Sequence, residues 1–198
     1  RFMVQLLKEM EEYAKENNIP IMMDDGLKFI EDYIKKNNVK RILEIGSAIG
    51  YSAIRMCLNE NICITTIERD EVRYKEAVKN IKKAKLENQI TLIYDDALNI
   101  DLDEKYDLIF IDAAKGQYIK FFEKFEKNLS EKGAIISDNL KFHGYTEQKE
   151  RIKSKNLRQL VNKIRKYIEF LKENNTYQTT FYDIGDGIGV TKKRTDDC

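Results

Sequence analysis

The chain is 198 residues long, 42% hydrophobic and 35% charged, a balance that fits a soluble globular protein and excludes a disordered or low-complexity one. Its net charge of +1 makes no general statement about partners, and no apolar run approaches the roughly 20 residues needed to cross a bilayer. Three cysteines (Cys57, Cys63, Cys198) are too few for a disulfide framework and lack zinc spacing, and a single histidine, His143, excludes a multi-histidine metal centre. No Gly-x-Ser-x-Gly nucleophile turn is present. Reduced thiols and the lack of a signal peptide predict a cytoplasmic protein, and the start at Arg1 is consistent with a short missing N-terminal segment.

Helical spacing opens the chain over 4–17 and 24–36, separated by an apolar loop, 18–23, that holds the only proline, Pro20. That loop either closes over a ligand or packs the two helices, and packing is the simpler expectation. Apolar runs at 41–45, 62–67, 90–94, 108–112 and 134–138 then read as five strands buried on both faces, alternating with helices such as 70–86 and 117–129. A further amphipathic helix covers 156–171. Segments 178–184 and 188–192 flank Gly185-Asp186-Gly187, a hairpin signal that makes the last strand antiparallel. The expected fold is α/β: one domain over 1–198, a seven-stranded doubly wound sheet with an antiparallel last strand and two extra N-terminal helices.

The first strand and turn read Ile42-Leu43-Glu44-Ile45-Gly46-Ser47-Ala48-Ile49-Gly50-Tyr51-Ser52. A dinucleotide fingerprint would want glycine where Glu44 and Ile49 stand, and a carboxylate near a phosphate site repels pyrophosphate. A ligand with an ammonium and a sulfonium is the better electrostatic match, which favours S-adenosylmethionine. Glu68 closes the second strand, where an acid commonly accepts hydrogen bonds from a ribose diol. Asp95-Asp96-Ala97 follows the third strand and offers an acid and a small neighbour to an adenine.

Asp112 closes the fourth strand and Asp138-Asn139 the fifth. Parallel strands end side by side, so these oxygen ligands are expected to meet around one hard cation at the sheet's carboxyl rim. Between Lys149 and Lys166 stand eight basic residues (Lys149, Arg151, Lys153, Lys155, Arg158, Lys163, Arg165, Lys166) and one acid, Glu150. This is the charge footprint of a polyanion-binding face or of a solvated helix side.

The turn from Glu44 to Met56, with Asp112-Ala113-Ala114-Lys115 and Ser137-Asp138-Asn139, resembles the cation-dependent O-methyltransferases of the catechol and caffeoyl-CoA type. Within that family, Ile19-Pro20-Ile21-Met22 and the stretch from Asp138 to Gly144 look most like the bacterial tRNA 5-hydroxyuridine methyltransferases. The resemblance implies a Rossmann-like class I methyltransferase fold. It implies a cofactor pocket built from Met22, Glu44, Gly46, Ser52, Glu68, Asp96, Ala97 and Asp112. It also implies that Asp112, Asp138 and Asn139 hold Mg²⁺ or Mn²⁺, that Lys115 takes the substrate proton, and that the protein is a homodimer.

Catechol and 5-hydroxyuridine both present two adjacent oxygens, so the catalytic residues alone do not choose between them. The basic run favours RNA, here the tRNA anticodon region, with Lys141, His143, Arg151, Lys155 and Arg158 as candidate contacts. The alternatives are a phenolic small-molecule O-methyltransferase and a non-catalytic RNA-binding protein on the same fold.

Overall fold

β-Branched and aromatic residues concentrate in seven short runs, and each forms a strand in the computed structural model, which describes residues 1–58, 61–112 and 116–195. The strands are β1 (Arg41–Ile45), β2 (Cys63–Glu68), β3 (Ile90–Tyr94), β4 (Tyr106–Asp112), β5 (Leu129–Asp138), β6 (Tyr177–Tyr182) and β7 (Ile188–Lys193). The helices are α1 (Phe2–Glu16), α2 (Asp24–Lys36), α3 (Tyr51–Met56), α4 (Glu71–Lys83), α5 (Tyr118–Phe125) and α6 (Lys155–Glu173). The sheet order is β3-β2-β1-β4-β5-β7-β6, the seven-stranded α/β arrangement expected, with β7 antiparallel to both of its neighbours. Among the described residues no helix is long and apolar enough to cross a membrane.

The chain divides into two compact units, Arg1–Leu102 and Asp103–Cys198. In the first, β1, β2 and β3 are parallel, with Ile45 beside Ile67 and Glu68 beside Tyr94. Leu6, Met10 and Ala14 fall one turn apart on α1 and are buried, as are Leu27, Ile30 and Ile34 on α2. Both helices end before an asparagine in the left-handed region, Asn18 and Asn38, each at φ 53°. The guanidinium of Arg55 on α3 bridges Asp24 and Glu31 of α2, each at 2.8 Å, which locks these two helices together. One expectation fails here: β3 is not buried on both faces. Thr91 and Tyr94 are exposed, because β3 lies at the sheet's edge.

In the second unit, β4 and β5 are parallel and β6–β7 form the terminal hairpin. β5 starts at Leu129 rather than residue 134, since Leu129 already pairs with Tyr106 ahead of a register shift. The preceding helix accordingly stops at Phe125 and gives way to a 3₁₀ turn, Glu126–Asn128. Phe121, Phe122 and Phe125 of α5 and Val161, Ile164, Tyr167 and Leu171 of α6 are buried. Burial of each such side chain contributes roughly 1.5–3 kcal/mol, so this unit rests on an aromatic-rich core.

Candidate active site

In the first unit the turn after β1 is built around two carboxylates. Gly46 (φ 98°), Ala48 (φ 45°) and Gly50 (φ 88°) carry the left-handed backbone that folds the chain back from β1 into α3. Glu44 is completely buried. One of its oxygens accepts from the Ser52 hydroxyl and the other from the Thr66 hydroxyl, at 2.6 Å for Thr66. Because Thr66 spends its only proton on Glu44, the 2.6 Å contact between the Ser47 and Thr66 hydroxyls has Ser47 as donor. Glu44 and Ser52 therefore brace the turn from beneath.

Glu68, at the end of β2, reaches over the same turn. Its carboxylate accepts from the N–H of Ala48 at 2.7 Å and from the N–H of Asp70 at 3.0 Å. A strand-end acid thus holds both of these turns in place. Asp96 caps the short turn after β3 by accepting from the Leu98 N–H at 2.9 Å, with Ala97 buried beside it. Met22 is half-buried in the loop before α2, whereas Pro20 and Met23 are exposed.

The second unit holds the candidate oxygen ligands. Asp112 and Asp138 are direct neighbours in the parallel β4–β5 register, so both side chains leave the sheet on the same face. Asn139 follows Asp138, and a continuing strand would send it to the opposite face. Its φ of 59° turns the chain instead, and its amide donates to Asp112 Oδ1 at 2.7 Å. Asparagine tolerates that backbone better than most residues. Among the described residues no three His, Cys, Asp or Glu side chains gather around a point, so the donors on offer are two carboxylates and one amide oxygen. That hard set suits Mg²⁺ or Mn²⁺ and fits poorly with zinc or copper. Lys115, the expected base, lies outside the described residues.

Two tyrosines back this set, and neither was expected. Tyr118 donates to the Asp138 carbonyl at 2.5 Å and stacks on Tyr167, with ring centroids 4.1 Å apart and planes 1° from parallel. The Tyr167 and Ser137 hydroxyls lie 2.8 Å apart. Burial, then the negative charge of Asp112, pushes the Tyr118 hydroxyl well above its ordinary value, so it stays a neutral donor. Both tyrosines sit on helical apolar stripes, where pattern alone signals only core.

The loop after Asn139 is held from two sides. The N–H groups of Leu140 and Lys141 donate to the carbonyls of Gly187 and Asp186 in the β6–β7 turn, at 3.1 and 2.8 Å. From α6, Arg165 donates to the carbonyls of Thr146, Tyr145 and Gln148 at 3.1, 3.0 and 2.8 Å. Arg158 donates to the Ile152 carbonyl at 3.0 Å, and Lys141 pairs with Asp183 and Glu147. The basic run therefore splits: Arg158 and Arg165 tie down backbone, while Arg151, Lys155, Lys163 and Lys166 are exposed, as is His143. Charge counting cannot separate these roles, because it does not see which carbonyls lack donors.

The chain matches the family model described as O-methyltransferase over residues 2–194. A candidate caffeoyl-CoA O-methyltransferase structure from Staphylococcus aureus is 39% identical and superposes with a TM-score of 0.90, covering 95% of this chain and 92% of that one. Tapetum-specific methyltransferase 1 of Arabidopsis thaliana is 29% identical over 96% of this chain and 86% of its own length. The caffeoyl-CoA O-methyltransferase of Populus kitakamiensis is 27% identical over 94% and 86%. A Bacillus cereus O-methyltransferase solved with SAH shares the fold at a TM-score of 0.78 and 24% identity, covering 96% of this chain and 91% of that one.

Proposed function

We propose, for a chain that belongs to the O-methyltransferase family, that it transfers the methyl group of S-adenosylmethionine to a hydroxyl flanked by a second oxygen. The observation that carries this reading is the convergence of Asp112, Asp138 and Asn139, sealed by the 2.7 Å contact between Asn139 and Asp112. These three would hold a divalent cation, Mg²⁺ or Mn²⁺, which when bound would lower the pKa of an acceptor hydroxyl. The chain's own residues do the rest. The Gly46–Gly50 turn, Glu68, Asp96, Ala97 and Met22 bind and orient the donor. Lys115 takes the hydroxyl proton as the oxygen–methyl bond forms and the methyl–sulfur bond breaks, leaving neutral S-adenosylhomocysteine.

The acceptor in this reading is 5-hydroxyuridine at the tRNA wobble position, converted to 5-methoxyuridine. Exposed Arg151 and Lys155, with exposed His143 beyond the oxygen ligands, support an RNA backbone and a splayed base. A second reading, a phenolic small-molecule acceptor, is favoured by the curated relatives, which carry caffeoyl-CoA and flavonoid names.

Mass spectrometry of tRNA nucleosides from cells lacking the protein separates the two. Accumulated 5-hydroxyuridine with missing 5-methoxyuridine supports the RNA reading. An unchanged profile, with purified protein methylating caffeoyl-CoA or catechol, moves the acceptor to the small molecule. Asp138→Ala separates both from a non-catalytic RNA binder, since an enzyme loses turnover while a binder keeps its RNA affinity and never turned over. Charge reversal at Arg151 and Lys155, rather than at the structural Arg158, is expected to lower kcat/KM for tRNA at least tenfold. A homodimer is also expected, with exposed Phe2 and Val4 of α1 as its apolar face, and light scattering reads it directly.

A further inference from the structure

Three lysines from two helices converge on a pocket that the chemistry above does not use. Lys120 of α5 and Lys163 and Lys166 of α6 line it, together with Gly116, Gln117 and Tyr118, around a volume of about 240 Å³. Gly116 has φ 62°, and a side chain added there would come within 3.3 Å of the Lys163 Cδ and 3.9 Å of its Nζ. A side chain there would therefore crowd the Lys163 stem, which runs alongside the turn. Lys163 and Lys166 share one side of α6 at helical spacing, and Lys120 faces them from α5.

Among the described residues no carboxylate forms an ion pair with any of the three, although exposed lysines elsewhere do pair, as Lys28 with Asp24 and Lys75 with Glu71. Like charges brought together repel, and the repulsion is relieved when an anion enters. The floor of the pocket is also mechanically joined to the oxygen ligands. Tyr118 lines it, and the same side chain holds the Asp138 carbonyl.

We propose that this pocket is a phosphate subsite for the acceptor, in which Lys120, Lys163 and Lys166 neutralise one phosphoryl group carried by the molecule to be methylated. The inference rests on the methyl-transfer reading above. Phosphodiester backbone and the phosphates of a coenzyme A thioester present the same chemistry, and lysine binds either as a point charge. A free catechol carries nothing for the pocket to hold.

The test begins with binding, independent of turnover. The full chain is labelled with ¹⁵N-glycine and titrated with inorganic phosphate at constant ionic strength. The Gly116 amide is expected to shift and saturate, and Lys163→Gln/Lys166→Gln to weaken that saturation at least tenfold while the other glycine signals keep their positions. A drift that never saturates, or a saturation the double variant leaves unchanged, overturns the subsite. Next, kcat/KM is compared for wild type and double variant on an anticodon stem-loop RNA containing 5-hydroxyuridine and on caffeoyl-CoA. A loss of tenfold or more on one of them identifies the source of the phosphate. Equal kcat/KM for both proteins on every acceptor that turns over removes the pocket from acceptor binding. If wild type methylates no acceptor while Gly116 still saturates, the methyl-transfer reading has failed and the anion pocket stands. If acceptors turn over and Gly116 does not respond, the reverse holds.

Discussion

Asn139 donates to Asp112 at 2.7 Å although the two residues come from different strand ends and Asn139 directly follows Asp138, the neighbour of Asp112 in the β4–β5 register. Only the left-handed backbone at Asn139, φ 59°, brings consecutive residues to the same face of the sheet. The proposed ligand set thus depends on one backbone conformation as much as on three side chains.

Backbone and side-chain roles at this position separate by substitution. Asn139→Gly keeps the φ without strain and removes the amide, so cation-dependent turnover is expected to fall at least tenfold with unfolding stability lowered little. Asn139→Ala removes the same amide and adds left-handed strain of about 1 kcal/mol. Urea unfolding combined with Mg²⁺ titration of the initial rate measures both effects, and equal stability of the two variants would contradict the backbone role.

Arg165 is expected to behave as a structural residue despite its place in the basic run. Arg165→Met removes donors from three loop carbonyls, and charge-assisted hydrogen bonds of this kind put the cost at about 2 kcal/mol or more. Chemical denaturation should show that loss, and hydrogen exchange should show faster opening across 145–148. A variant as stable as wild type would return Arg165 to the surface-charge class.

Gly187 should resist substitution. It has φ 88°, and an added Cβ would lie 2.9 Å from the Lys141 backbone nitrogen. Gly187→Ala therefore combines backbone strain with a clash against main chain, expected to cost about 2 kcal/mol or more. Because the same turn accepts from Leu140 and Lys141, the substitution should also lower turnover, measurable as kcat at saturating cation.

Cys57 gives the chain an alkaline limit. Burial first, then the negative charge of Glu44, pushes its thiol from 9.0 up to about 12. In the unfolded chain the thiol ionises near 9, whereas in the folded chain it stays neutral. Stability is therefore fully present below pH 9 and is lost as pH rises toward 12. Buried Tyr118 and Tyr167, also raised, act with the same sign at higher pH. Cys57→Ala should flatten the fall of Tm between pH 9 and 11, and native protein at pH 8 should leave Cys57 unalkylated by iodoacetamide until it is unfolded.

Period and strand-end chemistry were enough, by themselves, to locate the seven strands, the amphipathic helices, the Gly46–Gly50 turn and the acids at 68, 112 and 138. Each of these follows from local propensity and from where a parallel sheet ends, so each is written in neighbouring residues. The tertiary structure alone decided the rest. It buried Glu44 against Ser52 and Thr66, turned Asn139 back toward Asp112, and set Tyr118 and Tyr167 behind Asp138. It also assigned Arg165 to loop carbonyls and left Lys163 and Lys166 facing Lys120. Most of these are contacts between residues well separated in the chain, fixed by register and packing, and a charge or an apolar stripe looks the same in sequence whichever partner it meets.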